Sequence, residues 1–190
     1  MKTRFWATTI SLALATTSLG SAQTRITPPA NKYSPSQDVE LGRKAAEEAR
    51  NQLPVMRDDA VSSYVENIGR RLVDVIPAEL RHPEFRYTFE AVNVREINAF
   101  ALPGGQVFIT RALYEKLEDE AQLAGVLGHE IGHVINRHAA EHMAQGQLGQ
   151  SLTTAVVVGA SDPDNRGKGQ MAAIAAQLAN QMIQLKYSRK

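Results

Sequence analysis

The sequence predicts an α+β domain, mainly helical with a small antiparallel sheet, on three observations. Apolar residues recur at three- and four-residue steps after Asp58, they alternate singly from Phe85 to Ala91, and a Pro103-Gly104-Gly105 turn separates two short apolar runs. At 190 residues and 43% apolar content, the chain is long enough for one domain around a single core.

The chain opens with Lys2 and Arg4, an uncharged and largely apolar run from Phe5 to Leu19, then the small residues Gly20, Ser21 and Ala22. This is the layout of a secretory signal, so residues 1–22 are expected to be a signal peptide and 23–190 the mature domain. The run is shorter than the ~20 residues of a spanning helix and is broken by Thr and Ser. No cysteine follows it, which removes the attachment point of a lipoprotein and predicts a mature protein soluble outside the cytoplasm.

Twenty-one basic residues face twenty acidic ones, and loss of Lys2 and Arg4 leaves nineteen against twenty, so nothing in the charge points to nucleic acid. The absence of cysteine excludes a disulfide framework, a thiol nucleophile and a Cys-ligated zinc. A metal would have to be held by His, Asp or Glu.

Residues 23–33 are rich in Thr, Pro and Asn and read as an extended leader. Ser34-Pro35-Ser36-Gln37 then has the form of a capping box with proline at the first helical position, which starts a charged helix running to about Asn51. Asp58 or Asp59 caps a second helix whose stripe of Val61, Tyr64, Val65, Ile68, Leu72 and Ile76 is expected to be core. From Phe85 to Ala91 the alternation predicts a strand, with Phe85, Tyr87, Phe89 and Ala91 on one side and Arg86, Thr88 and Glu90 on the other.

Ile97 to Thr110 predicts a hairpin around the Gly104-Gly105 turn. A short helical region follows near Arg111, and a longer helix capped by Asp119, with Gln122 three residues on, is expected to run through His129 to about Met143. Gly146 to Gly169 reads as a connection, and Met171 to Leu185 as a last helix.

The chemistry is concentrated in His129-Glu130-Ile131-Gly132-His133. Two imidazoles four residues apart lie on one helical face, where both reach one zinc ion. Zinc held by neutral ligands lowers the pKa of bound water to about 7 and polarises a peptide carbonyl. Glu130, next to the first ligand, is placed to act as general base and then as acid to the leaving amine. A surface helix holding this pattern by chance is the bland alternative, but a capped amphipathic helix beside a sheet is the setting the mechanism requires.

Gly125, Gly128 and Gly132 form a bare stripe that either admits another backbone or marks ordinary tight packing. His138 falls about 180° from His129 on a straight helix, which argues against a third ligand there. His142 and His82 read as surface residues, and Asn136 and Ala139 exclude the metzincin pattern.

From about Ile97 to Met143 the sequence resembles the HtpX, BepA and CAAX-prenyl-protease family of integral-membrane and periplasmic zinc metallopeptidases. The matching blocks are Asn98 to Thr110 (NAFALPGGQVFIT) and Gly128 to His138 (GHEIGHVINRH). The resemblance implies a zincin-like fold of gluzincin type, one Zn2+ per chain held by His129 and His133, and base catalysis by Glu130. It implies that the first block borders the active cleft and offers a strand edge to an extended peptide, which makes Asn98, Ala99, Phe100, Gly104 and Gly105 candidate substrate-binding residues. It also implies a periplasmic endopeptidase acting on unfolded or misassembled envelope proteins, with peripheral membrane association compatible and the oligomeric state open.

In that family the third zinc ligand is a glutamate on a later helix, shortly after a sequence like Tyr187-Ser188-Arg189; this chain stops at Lys190. Asp162 and Asp164 are the only acidic side chains after residue 150 and do not hold that position. The competing expectation is a catalytically incomplete peptide-binding module or a fragment.

Overall fold

A computed structural model describes residues 33–139 and 166–184. In chain order the elements are α1 (Pro35–Gln52), α2 (Asp59–Asp74), a 3-10 turn (Ala78–Leu80), β1 (Thr88–Val92), β2 (Ala99–Ala101), β3 (Gln106–Thr110), α3 (Arg111–Tyr114), α4 (Glu120–Ile135) and α5 (Arg166–Gln184).

Local chemistry starts the helices. The Ser34 hydroxyl accepts from the Gln37 amide while the Gln37 side chain accepts from the Ser34 amide, closing the capping box. Asp58 takes the amides of Ala60 and Val61 at the head of α2, and Asp119 takes that of Gln122 at the head of α4. Gln122 in turn accepts from Glu118.

The sheet order is β1-β3-β2, with β2 antiparallel to β3 and β1 parallel to it. The expected all-antiparallel sheet is therefore corrected to a mixed one. The hairpin folds as expected, with Gly104 at φ 81° and Gly105 at φ 117° in the turn. It is β3, the second strand of the hairpin, that pairs with β1, so the order along the chain is not the order in space. The first strand also starts later than its alternation suggests, at Thr88, with Phe85 buried ahead of it.

β3 is central and buried throughout. Its alternate side chains serve two cores on opposite faces of the sheet. Val107 and Ile109, with Phe89, Ala91, Ala99 and Ala101, pack against α2 and α4. Phe108, stacked on Phe100 with ring centroids 5.0 Å apart, packs with Val92 and Leu102 against α1 and α5. The layers are thus helix, sheet, helix.

Further differences from expectation have local causes. Tyr64 is 40% exposed and so is not core, whereas Val65, Ile68 and Ile76 are buried. The last helix begins at Arg166, inside the stretch read as a connection. α4 ends at Ile135 and not near Met143, because Arg137 takes φ 55° and turns the chain out of the helix. The proposed signal peptide, the leader as far as residue 32, and residues 140–165 and 185–190 lie outside the described residues. Among the described residues no helix is long and apolar enough to cross a membrane.

Candidate metal centre

α4 buries Leu123, Val126, Leu127, Ile131 and Val134 against the sheet. That orientation sends Glu130 inward, at 4% exposure, and leaves the flanking histidines towards the surface. His129 Nε2 and His133 Nε2 stand 3.1 Å apart, with the rings at 80° to one another. Two nitrogens on one tetrahedral zinc at ordinary bond lengths are separated by roughly 3.3 Å. The donor pair therefore fits that ion. Among the described residues no group of three or more His, Asp or Glu side chains is arranged to hold a metal, and Tyr187 to Arg189 lie outside them.

Burial pushes the Glu130 carboxyl up to about 7, and a hydrogen bond from the Ala101 main chain opposes the shift only in part. A carboxylate with that affinity for protons exchanges them readily near neutral pH.

Ala101 belongs to β2, which lies at the edge of the sheet. The bonds Leu102 N to Gln106 O and Thr110 N to Asn98 O show that even-numbered residues of this strand face β3. The main-chain groups of Ala99 and Ala101 consequently turn to the outer side. Asn98, Ala99 and Phe100 are 5%, 6% and 2% exposed. Asn98 exchanges hydrogen bonds with Thr110 and donates to the Ile183 carbonyl of α5. These residues, main chain included, are thus packed into the fold.

The turn glycines are packed as well. A side chain on Gly104 would meet Val39 of α1, and one on Gly105 would meet the Arg86 carbonyl. The Gly104 carbonyl accepts from the Arg86 amide and that of Gly105 from Thr88.

Past the end of α4 the chain is held by groups that the sequence reading did not single out. Arg137 Nε donates to Asp38 Oδ2 at 2.6 Å, and its Nη2 donates to the Tyr33 carbonyl. Asp38, in the first turn of α1, is 1% exposed. Burial raises its pKa, and the hydrogen bond and charge of Arg137 counter that shift. A readable signal existed, because Asp38 lies on the same helical stripe as Leu41, Gly42, Ala45, Ala46 and Ala49.

The turn at Arg137 brings His138 back, so that its Nδ1 lies 2.8 Å from Nδ1 of His133. Rotation along a straight helix does not describe this segment. A cavity of about 80 Å³ lies here, lined by Asp38, Leu102, Pro103, Val134, His138 and Met182 among others.

Among the described residues no backbone approaches the glycine stripe of α4, where a Cβ on Gly125, Gly128 or Gly132 meets no atom within 4 Å. Close approach occurs instead at Gly42, where a Cβ would fall 1.7 Å from the Pro103 carbonyl oxygen, and at Gly69, where it would meet the Phe89 ring at 2.4 Å. His82 is half-buried and packs on Phe85, and His142 lies outside the described residues.

Comparison with known proteins extends the picture. The sequence model of peptidase family M48 matches residues 59–190. The beta-barrel assembly-enhancing protease of Escherichia coli strain K12 is 34% identical over 117 residues, 62% of this chain and 23% of that protein. Its counterpart from Yersinia pestis is 35% identical over 123 residues, 65% of this chain and 24% of that protein. The mitochondrial metalloendopeptidase OMA1 of Bos taurus is 45% identical over 58 residues, 30% of this chain and 11% of that protein. The chain spans less than a quarter of the length of these curated relatives.

Proposed function

Since this chain belongs to peptidase family M48, we propose that it is a zinc-dependent endopeptidase of the cell envelope, acting on unfolded or misassembled polypeptides. The observation that carries the reading is the 3.1 Å approach of His129 Nε2 and His133 Nε2 beside a buried Glu130.

His129 and His133 would hold the ion. Zinc, when bound, supplies Lewis acidity towards water and towards a peptide carbonyl. Glu130 takes a proton from the attacking water and delivers it to the leaving nitrogen, and its raised proton affinity suits both steps. The Ala101 main chain holds that carboxylate from the side of the sheet edge.

An extended peptide laid along β2, in the manner of β-strand addition, would pair with the outward main-chain groups of Ala99 and with the Ala101 carbonyl, since the Ala101 amide is taken by Glu130. Main-chain pairing tolerates varied side chains, which suits unfolded clients. The envelope assignment is supported by the relatives named as beta-barrel assembly-enhancing proteases and by the signal-like sequence of residues 1–22.

The test is zinc content and casein hydrolysis of the purified chain beside Glu130→Gln. Retained zinc with hydrolysis lost in the variant is the expected result. Equal hydrolysis by both proteins would rule Glu130 out as the base. A chain that takes up no zinc and cleaves nothing, yet retains unfolded peptides, would replace the peptidase by a peptide-binding module.

A further inference from the structure

We propose that His138 is a positioning residue for His133: it accepts the Nδ1 proton of His133 and so fixes the tautomer whose bare nitrogen is Nε2. This deepens the metallopeptidase reading and rests on it.

The two nitrogens of His133 have separate neighbours. Nε2 faces His129 Nε2 at 3.1 Å, and Nδ1 faces His138 Nδ1 at 2.8 Å. A neutral imidazole carries its proton on one nitrogen and a lone pair on the other. For Nε2 to offer its lone pair to an ion, the proton must sit on Nδ1, and His138 Nδ1 stands where an acceptor for it is required. The same geometry shows that His138 does not join the donor pair, because it approaches His133 from the other ring nitrogen.

The contact depends on how α4 ends. On a continuous helix, His138 would lie roughly 140° around the axis from His133. The left-handed Arg137 breaks that path, and the bond from Arg137 to the buried Asp38 of α1 fixes the break. His138 and His133 also share the wall of the 80 Å³ cavity, where the rings meet edge-on with centroids 4.9 Å apart. Partners of this kind orient a ligand ring and raise its basicity, and their loss typically costs about 10–100-fold in metal affinity.

The test compares the 190-residue chain with His138→Asn, which can keep an acceptor near the same place, and His138→Phe, which keeps a ring without one. Two readouts are taken on each: zinc affinity by competition with a chromogenic chelator, and the His133 tautomer from 15N chemical shifts of the metal-free protein at pH 8. Thermal melting confirms that each variant is folded. The proposal expects His133 protonated on Nδ1 in the parent and in His138→Asn, a shift towards the other tautomer in His138→Phe, and zinc affinity lowered about 10–100-fold in His138→Phe alone.

An unchanged tautomer in His138→Phe, or zinc affinity within threefold of the parent, would overturn it. The failure of the peptidase reading looks different, because the parent itself would then bind no zinc. Should His138→Phe fail to fold, loss of the Nδ1 proton in His138→Leu decides the same question, and a parent with Nδ1 bare overturns the proposal without any variant.

Discussion

Arg137 and Asp38 meet at 2.6 Å across ninety-nine positions of sequence, joining the first turn of α1 to the residue that ends the helix carrying both histidines. The arginine is left-handed and the aspartate is buried. Each is unfavourable alone, and each makes the other tolerable. Arg137→Ala strands the buried carboxylate and is expected to cost about 3–5 kcal/mol in urea unfolding. Arg137→Gly loses the same bond but accepts positive φ freely, so it should be about 1 kcal/mol less damaging. Equal losses in the two variants would show that the left-handed geometry contributes nothing.

The glycines divide into two groups. Gly42→Ala and Gly69→Ala force a methyl group into the Pro103 carbonyl and the Phe89 ring and should each destabilise by several kcal/mol, on the order of a severe overpacking. Gly125→Ala and Gly128→Ala add a methyl group where no described atom lies within 4 Å, in a helix interior, and should stabilise by about 0.5–1 kcal/mol. Thermal melts of the four variants read the difference directly, and a loss at Gly125 or Gly128 would place an unrecognised neighbour against α4.

Zinc should raise the melting temperature of the parent chain, by up to about 2.7 kcal/mol of added stability at a hundredfold excess over its dissociation constant. His129→Ala and His133→Ala should abolish most of that shift. A zinc shift that survives both substitutions would place the ion elsewhere.

Burial raises the Tyr87 hydroxyl to about 12 from its ordinary 10. The folded state therefore keeps a proton that the unfolded state gives up. Stability is unaffected below pH 10 and falls as the pH rises from 10 through 12. The loss should be roughly 1–2 kcal/mol, allowing for partial exposure of the ring. Tyr87→Phe should melt at a more constant temperature across that window, and an unchanged slope would assign the alkaline loss to other groups.

Pairing of substrate along β2 predicts that N-methylation of peptide amides at alternate positions lowers kcat/KM by about 3–10-fold per group, since one hydrogen bond is worth about 0.5–1.5 kcal/mol net. The intervening positions should tolerate it. Equal tolerance at every position would remove strand addition from the account.

Much of this was legible because it is local. Ser34, Asp58 and Asp119 announce helix starts through bonds to amides two or three residues away, and Gly104-Gly105 announces a turn through its φ angles. The 129-to-133 spacing likewise needs only one helical turn. What escaped depends on partners distant in sequence. Nothing near β1 says that β3 and not β2 will lie beside it, because that pairing joins residues distant in sequence, such as Thr88 and Gln106. The end of α4 is hidden for the same reason. Val134-Ile135-Asn136-Arg137 carries no glycine to stop a helix, and only the distant Asp38 explains why an arginine accepts that role.

The division of β3 between two cores has a consequence for how the centre is kept in register. The histidine pair and Glu130 ride on one layer, and the aspartate that anchors the end of their helix rides on the other. Odd-numbered positions of the strand seat the helix of the histidine pair, while Phe108 seats the clamp. The alignment of the histidine pair thus gauges the thickness of the whole sandwich. A trimmed side chain at Phe108, far from any histidine, should loosen the centre by letting its two halves slide out of true.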